Sequence, residues 1–259
     1  MTGAWMQRLL PPLVGLLFLG LWEAVVWLWD IPVFVLPPPH LVAAALWNDA
    51  GILLRSTVLT LVVTVQAFLL ALVSGVGLAV LFNQSRALSA ALYPYAIILQ
   101  VTPVVAIAPL LIIWVGYERV GLALLILAWI VAFFPVLSNS TAGLAAVDPN
   151  LRDLFRLYGA GRWQVLWRLQ LPSALPYILA GARISGGLAL IGAVVAEFVA
   201  GSGTAQGLAW RVIEAGNRLN MPRLFAALVL LSLLGILIFA LMSWVQRLLL
   251  RRWHPGATG

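Results

Sequence analysis

The sequence predicts an all-α integral membrane protein with six transmembrane helices. Three observations carry that prediction. Of 259 residues, 63% are hydrophobic and only 9% are charged, against roughly 25% charged residues in a soluble domain. Six apolar stretches approach or exceed the ~20 residues that a spanning helix needs. None of them alternates with the period of two that a membrane β-barrel requires.

The predicted spans are residues 11–29, 57–82, 92–115, 121–144, 178–199 and 225–249. Each is apolar on all faces, which suits lipid or a buried bundle better than an amphipathic surface helix. The first is too long for a secretory signal, carries Glu23 and lacks a small-residue cleavage site before Asp30, so it reads as an uncleaved span. Trp22, Trp27 and Trp29 fit an interfacial aromatic belt. Residues 30–56 form an outer segment with three consecutive prolines, Pro37 to Pro39, and a short amphipathic helix over 41–54. Residues 83–91 and 116–120 are tight turns. Residues 145–177 form a long inner loop, and an outer loop runs from Gly201 to Arg223.

The 15 basic residues are all arginine, and with eight acids they give a net charge of +7. With the N-terminus inside, Arg8, Arg86, Arg152, Arg156, Arg162, Arg168, Arg183, Arg247, Arg251 and Arg252 fall on the inner side. Arg55, Arg119, Arg211, Arg218 and Arg223 fall outside. Ten against five is the asymmetry of the positive-inside rule, so both termini are expected in the cytoplasm. The arginines flank apolar runs and form no basic face, which argues against nucleic acid. Cysteine is absent and the two histidines, His40 and His254, lie far apart in sequence. No metal site is therefore expected. No pairing of nucleophile and base suggests an enzyme.

The inner loop carries most of the polar information. Asp148 and Pro149 form a helix start, since Asp caps and Pro tolerates the first turn. Leu151, Leu154, Phe155, Tyr158, Leu166 and Leu169 make an apolar stripe at helical spacing, interrupted by Gly159 and Gly161. The expected result is helix–turn–helix. Two readings use the same forces: an amphipathic loop lying on anionic headgroups, or a docking surface for a soluble partner. Within the spans, Gln100, Thr102, Pro103 and Pro109 place polar groups and two helix breaks in the third. Ser185, Gly186, Gly187 and Gly192 permit close helix contact in the fifth. Arg183 is expected to snorkel to the inner surface. Glu197 near the outer end of the fifth span reads equally as a gate or binding-protein contact or as a solvated helix end.

Asp153, Leu154 and Phe155, three residues, Gly159, nine residues, then Leu169, a residue, Leu171 and Pro172 resemble the coupling-loop signature of binding-protein-dependent ABC importer permeases. That signature is Glu-Ala-Ala, three residues, Gly, nine residues, Ile-x-Leu-Pro; the first half departs from it and the second half matches. Pro103 to Gly116, Leu171 to Ile178 and Glu197 to Gly203 are similar to the nitrate/sulfonate/taurine group. The resemblance covers about residues 50–250. It implies a type I importer bundle, a single permease domain over residues 1–259 and a coupling loop at about 145–177. Asp153, Leu154, Phe155, Gly159, Ala160, Gly161, Leu169, Leu171 and Pro172 would then engage a cytoplasmic ATPase. Pro172 would break the helix between loop and span. Gln100, Thr102, Pro103, Pro109 and Glu197 are the pathway or gate candidates. The implied partners are two ATPase subunits carrying ATP and Mg, an extracytoplasmic binding protein and a second permease copy. A P-loop ends in lysine and this chain has none, so the ATPase is expected on another chain. The implied solute is a small anion such as a sulfonate, taurine or nitrate, with a thiamine pyrimidine precursor or an aromatic acid as alternatives. An ion-coupled secondary transporter, the competing class, should show repeat symmetry and midplane broken helices in both halves, and the sequence shows neither.

Overall fold

The computed structural model describes residues 4–200 and 206–251, with side chains from residue 9 onward. All regular structure among them is helical: α1 (Ala4–Leu28), α2 (Pro39–Asn48), α3 (Ala50–Gln84), α4 (Arg86–Val101), α5 (Val104–Val115), α6 (Val120–Ala145), α7 (Pro149–Leu157), α8 (Arg162–Val165), α9 (Leu171–Ala200), α10 (Leu208–Asn217) and α11 (Met221–Leu250). Five helical stretches are long and apolar enough to cross a membrane: Leu9–Leu28, Ala50–Gln84, Tyr117–Ala145, Arg162–Ala200 and Met221–Leu250. The stretch predicted as a further span, one helix over 92–115, is instead the pair α4 and α5, bent by 101°.

The bend sits at Thr102–Pro103. Pro103 disfavours helical geometry at the residue before it, and Thr102 is extended, with φ −67° and ψ 125°. Pro109, expected as a second break, lies inside α5. Other boundaries also move. The predicted turn at 83–91 shrinks to Ser85, whose Oγ accepts from Leu88 N at 3.2 Å and caps α4. The helix expected at 41–54 divides at Asp49, and the second span starts at Ala50, seven residues early. The loop between α9 and α11 contains α10, while its Gly201 to Ala205 stretch lies outside the described residues, as do Arg252 and His254.

The chain divides into two compact units. The first comprises described residues of Met1–Val58 and Gln206–Ser232. Val42, Ala45, Leu53, Leu208, Ala226 and Ala227 form its core, and Trp22 stacks on Phe225 at 5.5 Å between centroids. Arg223 reaches back to Asp49 through two bonds of 2.7 Å, Nε to Oδ2 and Nη2 to Oδ1. Arg211 donates to Ser56 at 2.9 Å, Glu214 at 2.6 Å and Gln206 at 2.8 Å. Bidentate arginine–carboxylate pairs are the strong class of ion pair. A double-mutant cycle with Asp49→Asn and Arg223→Gln, read by thermal unfolding of the purified protein, should give a coupling of about 1.5–3 kcal/mol. A coupling near zero would reduce the pair to a solvated surface contact.

The second unit comprises described residues of Leu59–Ala205 and Leu233–Gly259. Its centre is the α6–α9 pair. A Cβ added at Gly192 would lie 2.8 Å from Ala128 Cα, so only glycine permits this approach. Ser185 donates to Ala132 O at 2.7 Å across the same seam. Small residues and a hydroxyl on a backbone carbonyl are the usual means of joining helices where water supplies no driving force. Gly187 takes no part, facing open space. The Arg183 guanidinium stacks 4.2 Å over the ring of Phe239, a cation–π contact.

Candidate functional site

The loop between α6 and α9 folds as helix–turn–helix. Asp148 accepts from Asn150 N at 2.8 Å and Pro149 occupies the first turn of α7. The helix ends at a reversal with two characteristic bonds. Gly159 N–H donates to Arg156 O at 2.9 Å, and Ala160 N–H to Phe155 O at 2.9 Å. This is the Schellman arrangement, which needs a left-handed residue after the cap. Gly159 supplies it, with φ +70°. Gly161 N–H then donates to Gln164 Oε1 at 2.9 Å and α8 begins.

Pro172 does not break the helix that follows. Arg162–Ala200 runs as one helical stretch. Proline lacks a donor, and its ring clashes with the carbonyl four residues back in a regular helix. The preceding residues, Leu166–Gln170, widen into a π-turn, in which Leu171 N–H bonds Leu166 O. One wide turn thus absorbs the proline without an interruption. Pro176, likewise, is inside α9.

The predicted apolar stripe divides in two. Leu166 and Leu169 are buried, and Leu171 packs against the main core cluster with Leu166. The α7 half points away from that core: Leu151 and Leu154 are exposed, and Leu157 and Tyr158 are each 84% exposed. Asp153 is also exposed and pairs with Arg156 at 3.2 Å. Leu154, Phe155, Tyr158, Ala160, Gln164 and Arg168 line a depression of about 320 Å³. A helix with an apolar outer face beside arginines is chemically suited to docking.

The membrane candidates do not assemble into one site in this chain. Gln100 and Pro103 are exposed at the α4–α5 bend, Pro109 is exposed on α5, and Thr102 donates to Ile98 O at 2.7 Å. Glu197 is 2% exposed, which removes the solvated-end reading. Its Oε1 accepts from Thr60 Oγ1 at 2.7 Å, across 137 residues of sequence. Thr60 belongs to α3, one turn before Thr64, which is also buried. These threonines carry no signal in the sequence, because a hydroxyl inside an apolar run usually bonds its own backbone, as Thr64 does to Thr60 O at 2.7 Å. Among the described residues no cluster of His, Asp or Glu could hold a metal; His40 pairs with Glu23 at 2.6 Å, and His254 is not described.

Residues 67–255 match the family model of the binding-protein-dependent transport system inner membrane component. The chain belongs to this family. The riboflavin transport system permease protein of Chloroflexus aurantiacus is 36% identical over 258 residues, covering 97% of this chain and 94% of the relative. The formylaminopyrimidine transport permease protein of Halalkalibacterium halodurans is 31% identical over 247 residues, covering 94% and 96%. A chain of the MetNI methionine ABC transporter, solved in inward-facing conformations, superposes with a TM-score of 0.65 at 21% identity. That match covers 77% of this chain and 97% of that one, and it shows a shared fold.

The protein is therefore a multi-pass ABC importer permease, a transport subunit whose ATPase activity lies on a separate subunit. Permeases of this kind work with an ATPase and a binding protein. The departure from the signature at Leu154 and Phe155 is readable in the permease's geometry. Leu154 is exposed and Phe155 half-buried, so bulk at these positions adds to the outer surface and not to the core.

Proposed function

We propose that this permease passes a small heterocyclic solute of the pyrimidine or flavin type from a binding protein into the cytoplasm. The observation that carries this is the end-to-end similarity to the riboflavin and formylaminopyrimidine permeases at 36% and 31% identity. The small anion implied by the sequence resemblance is the second reading. It is favoured by a taurine permease of Escherichia coli, 30% identical over 91% of this chain. The assembled transporter, stimulated in turn by its binding protein loaded with formylaminopyrimidine, riboflavin or taurine, tests the choice. A several-fold rise in ATP hydrolysis with a heterocycle and none with taurine is expected; the reverse selects the anion.

In this reading two permease copies sit on two ATPase subunits, which hold ATP and Mg. Asp153, Leu154, Phe155, Gly159, Ala160 and Gly161 form the surface that enters an ATPase groove. Leu169, Leu171 and Pro172 anchor that surface to α9. The exposed apolar face of α7 supports this, since the fold leaves it uncovered. Gln100, Thr102, Pro103 and Pro109 line the pathway at the α4–α5 bend, where exposed polar groups sit beside a broken helix. Irregular backbone at membrane depth occurs where it lines a cavity or is buried in protein. Glu197 acts as a gate residue.

The orientation places both termini and the α6–α7 junction in the cytoplasm. The absence of cysteine makes labelling with an impermeant thiol reagent clean. Ala146, at the α6–α7 junction, is exposed and suits a cysteine, whereas a Cβ at Gly143 would meet Tyr177 Cβ at 2.7 Å. Ala146→Cys should resist the reagent in intact cells and react in permeabilised ones, whereas labelling from outside would invert the topology.

A further inference from the structure

The end of α3, the start of α4 and the α7–α8 turn border an open cavity of about 570 Å³, within the ~300–1,000 Å³ range of small-ligand sites. Arg86, Arg152, Arg156 and Arg162 line it, with Asn83, Gln84 and Gln170. No carboxylate is among its lining residues. Asn83 Nδ2 donates to Gln170 Oε1 at 2.7 Å, tying the end of α3 to the π-turn. Arg152 lines the cavity, and its Nε is buried without a hydrogen-bond partner. Asp153 bridges only Arg156, at the exposed surface.

Four guanidinium groups around one cavity repel one another unless an anion joins them. A buried arginine donor without an acceptor is costly, and guanidinium matches phosphate geometry through paired N–H donors. The surroundings fit an amphiphile. The α3 helix reaches the cavity with exposed Val73 and Leu81 along its last turns. Trp163 and Trp167, on the stretch that supplies Arg162, are each 66% exposed, and tryptophan belongs at headgroup level. Basic pockets on the cytoplasmic side of helix bundles bind anionic headgroups.

We propose that this arginine cavity is a binding site for the phosphate headgroup of an anionic phospholipid, placed directly behind the coupling turn. The lipid phosphodiester brings one negative charge and acceptor oxygens to the guanidinium groups of Arg86, Arg152 and Arg162 that line the cavity, while Arg156 already has Asp153. The site rests on the reading of the α6–α9 loop as the cytoplasmic coupling element, because that reading sets it at the inner leaflet. Lipid held there braces α7 and α8 against the end of α3.

Native mass spectrometry of the purified full-length permease, offered equal phosphatidylglycerol and phosphatidylcholine, reads the site. The parent should retain phosphatidylglycerol with several-fold preference. Arg86→Gln with Arg152→Gln should reduce the preference to near unity. Arg86→Gln alone, at an exposed position, should lower it at least twofold and guards against misfolding of the double variant. Arg247→Gln, elsewhere on the protein, should leave it unchanged. Equal retention of both lipids by the parent, or undiminished preference in the variants, overturns the proposal. Displacement of phosphatidylglycerol by millimolar inorganic phosphate would assign the cavity to a free anion and also overturn it. Complete displacement by the ATPase would make the arginines part of a protein interface, with the same consequence. Copurification of the ATPase is scored separately, so loss of lipid preference with the ATPase still bound defeats the lipid site and leaves the coupling reading standing.

Discussion

Gly159→Val is expected to uncouple the transporter while leaving insertion and folding of the spans intact. Gly159 has φ +70° and nothing within 4 Å of where a Cβ would stand, so the effect is purely a backbone one. An L-residue in this left-handed region costs roughly 1–2 kcal/mol, and a β-branched residue fits it worst. Valine would therefore unwind the two-bond reversal made by Gly159 and Ala160 and re-aim α8 relative to α7. If this turn transmits ATPase closure, ATP hydrolysis stimulated by the binding protein and uptake into proteoliposomes should both fall about tenfold, the equivalent of ~1.4 kcal/mol. Gly159→Asn is the control, since asparagine visits the left-handed region readily; it should retain most activity. Normal uptake by the valine variant would reduce the loop to an amphipathic surface helix.

Thr60→Val should lower the thermal stability of the purified protein by about 1–3 kcal/mol, because it removes a donor from a buried carboxylate while keeping the side-chain shape. Glu197→Gln keeps an oxygen that can accept from Thr60 and removes only the charge. If Glu197 gates the pathway, this variant should lose most of its uptake, with binding-protein affinity unchanged at low and high salt. A loss of affinity that salt reproduces in the parent would instead indicate docking. Uptake and affinity both equal to the parent would confine the Glu197–Thr60 bond at 2.7 Å to holding α9 against α3.

The features legible in the sequence are those with local causes. Asp148 and Pro149 mark the start of α7 because a cap and a first-turn proline act within four residues. Gly159 marks the reversal because the Schellman bonds close over six residues. The crossings were readable because burial in lipid demands ~20 apolar residues whatever the neighbours. The family resemblance rested on the same kind of signal, fixed spacings within one loop.

What the tertiary structure alone decided concerns partners distant in the chain. Pro172 signals a helix break locally, but a π-turn over Leu166–Gln170 absorbs it while Leu166 and Leu169 stay buried. Pro103 and Pro109 carry the same local signal, yet only the first coincides with the 101° bend. Glu197 reads in the sequence equally as a functional contact and as a solvated helix end; the fold buries it against Thr60, 137 residues earlier. Arg86 and Arg152 read separately as inner-side charges, and the fold brings them to one cavity. Sequence by itself determined that this chain crosses the membrane repeatedly and carries a capped helix–turn–helix between two crossings, because hydrophobic length, caps and glycine turns act over a few residues. Which polar groups meet inside it was decided only by the packing of α3, α6 and α9, because a buried donor or charge is satisfied by whatever the fold brings within 3 Å.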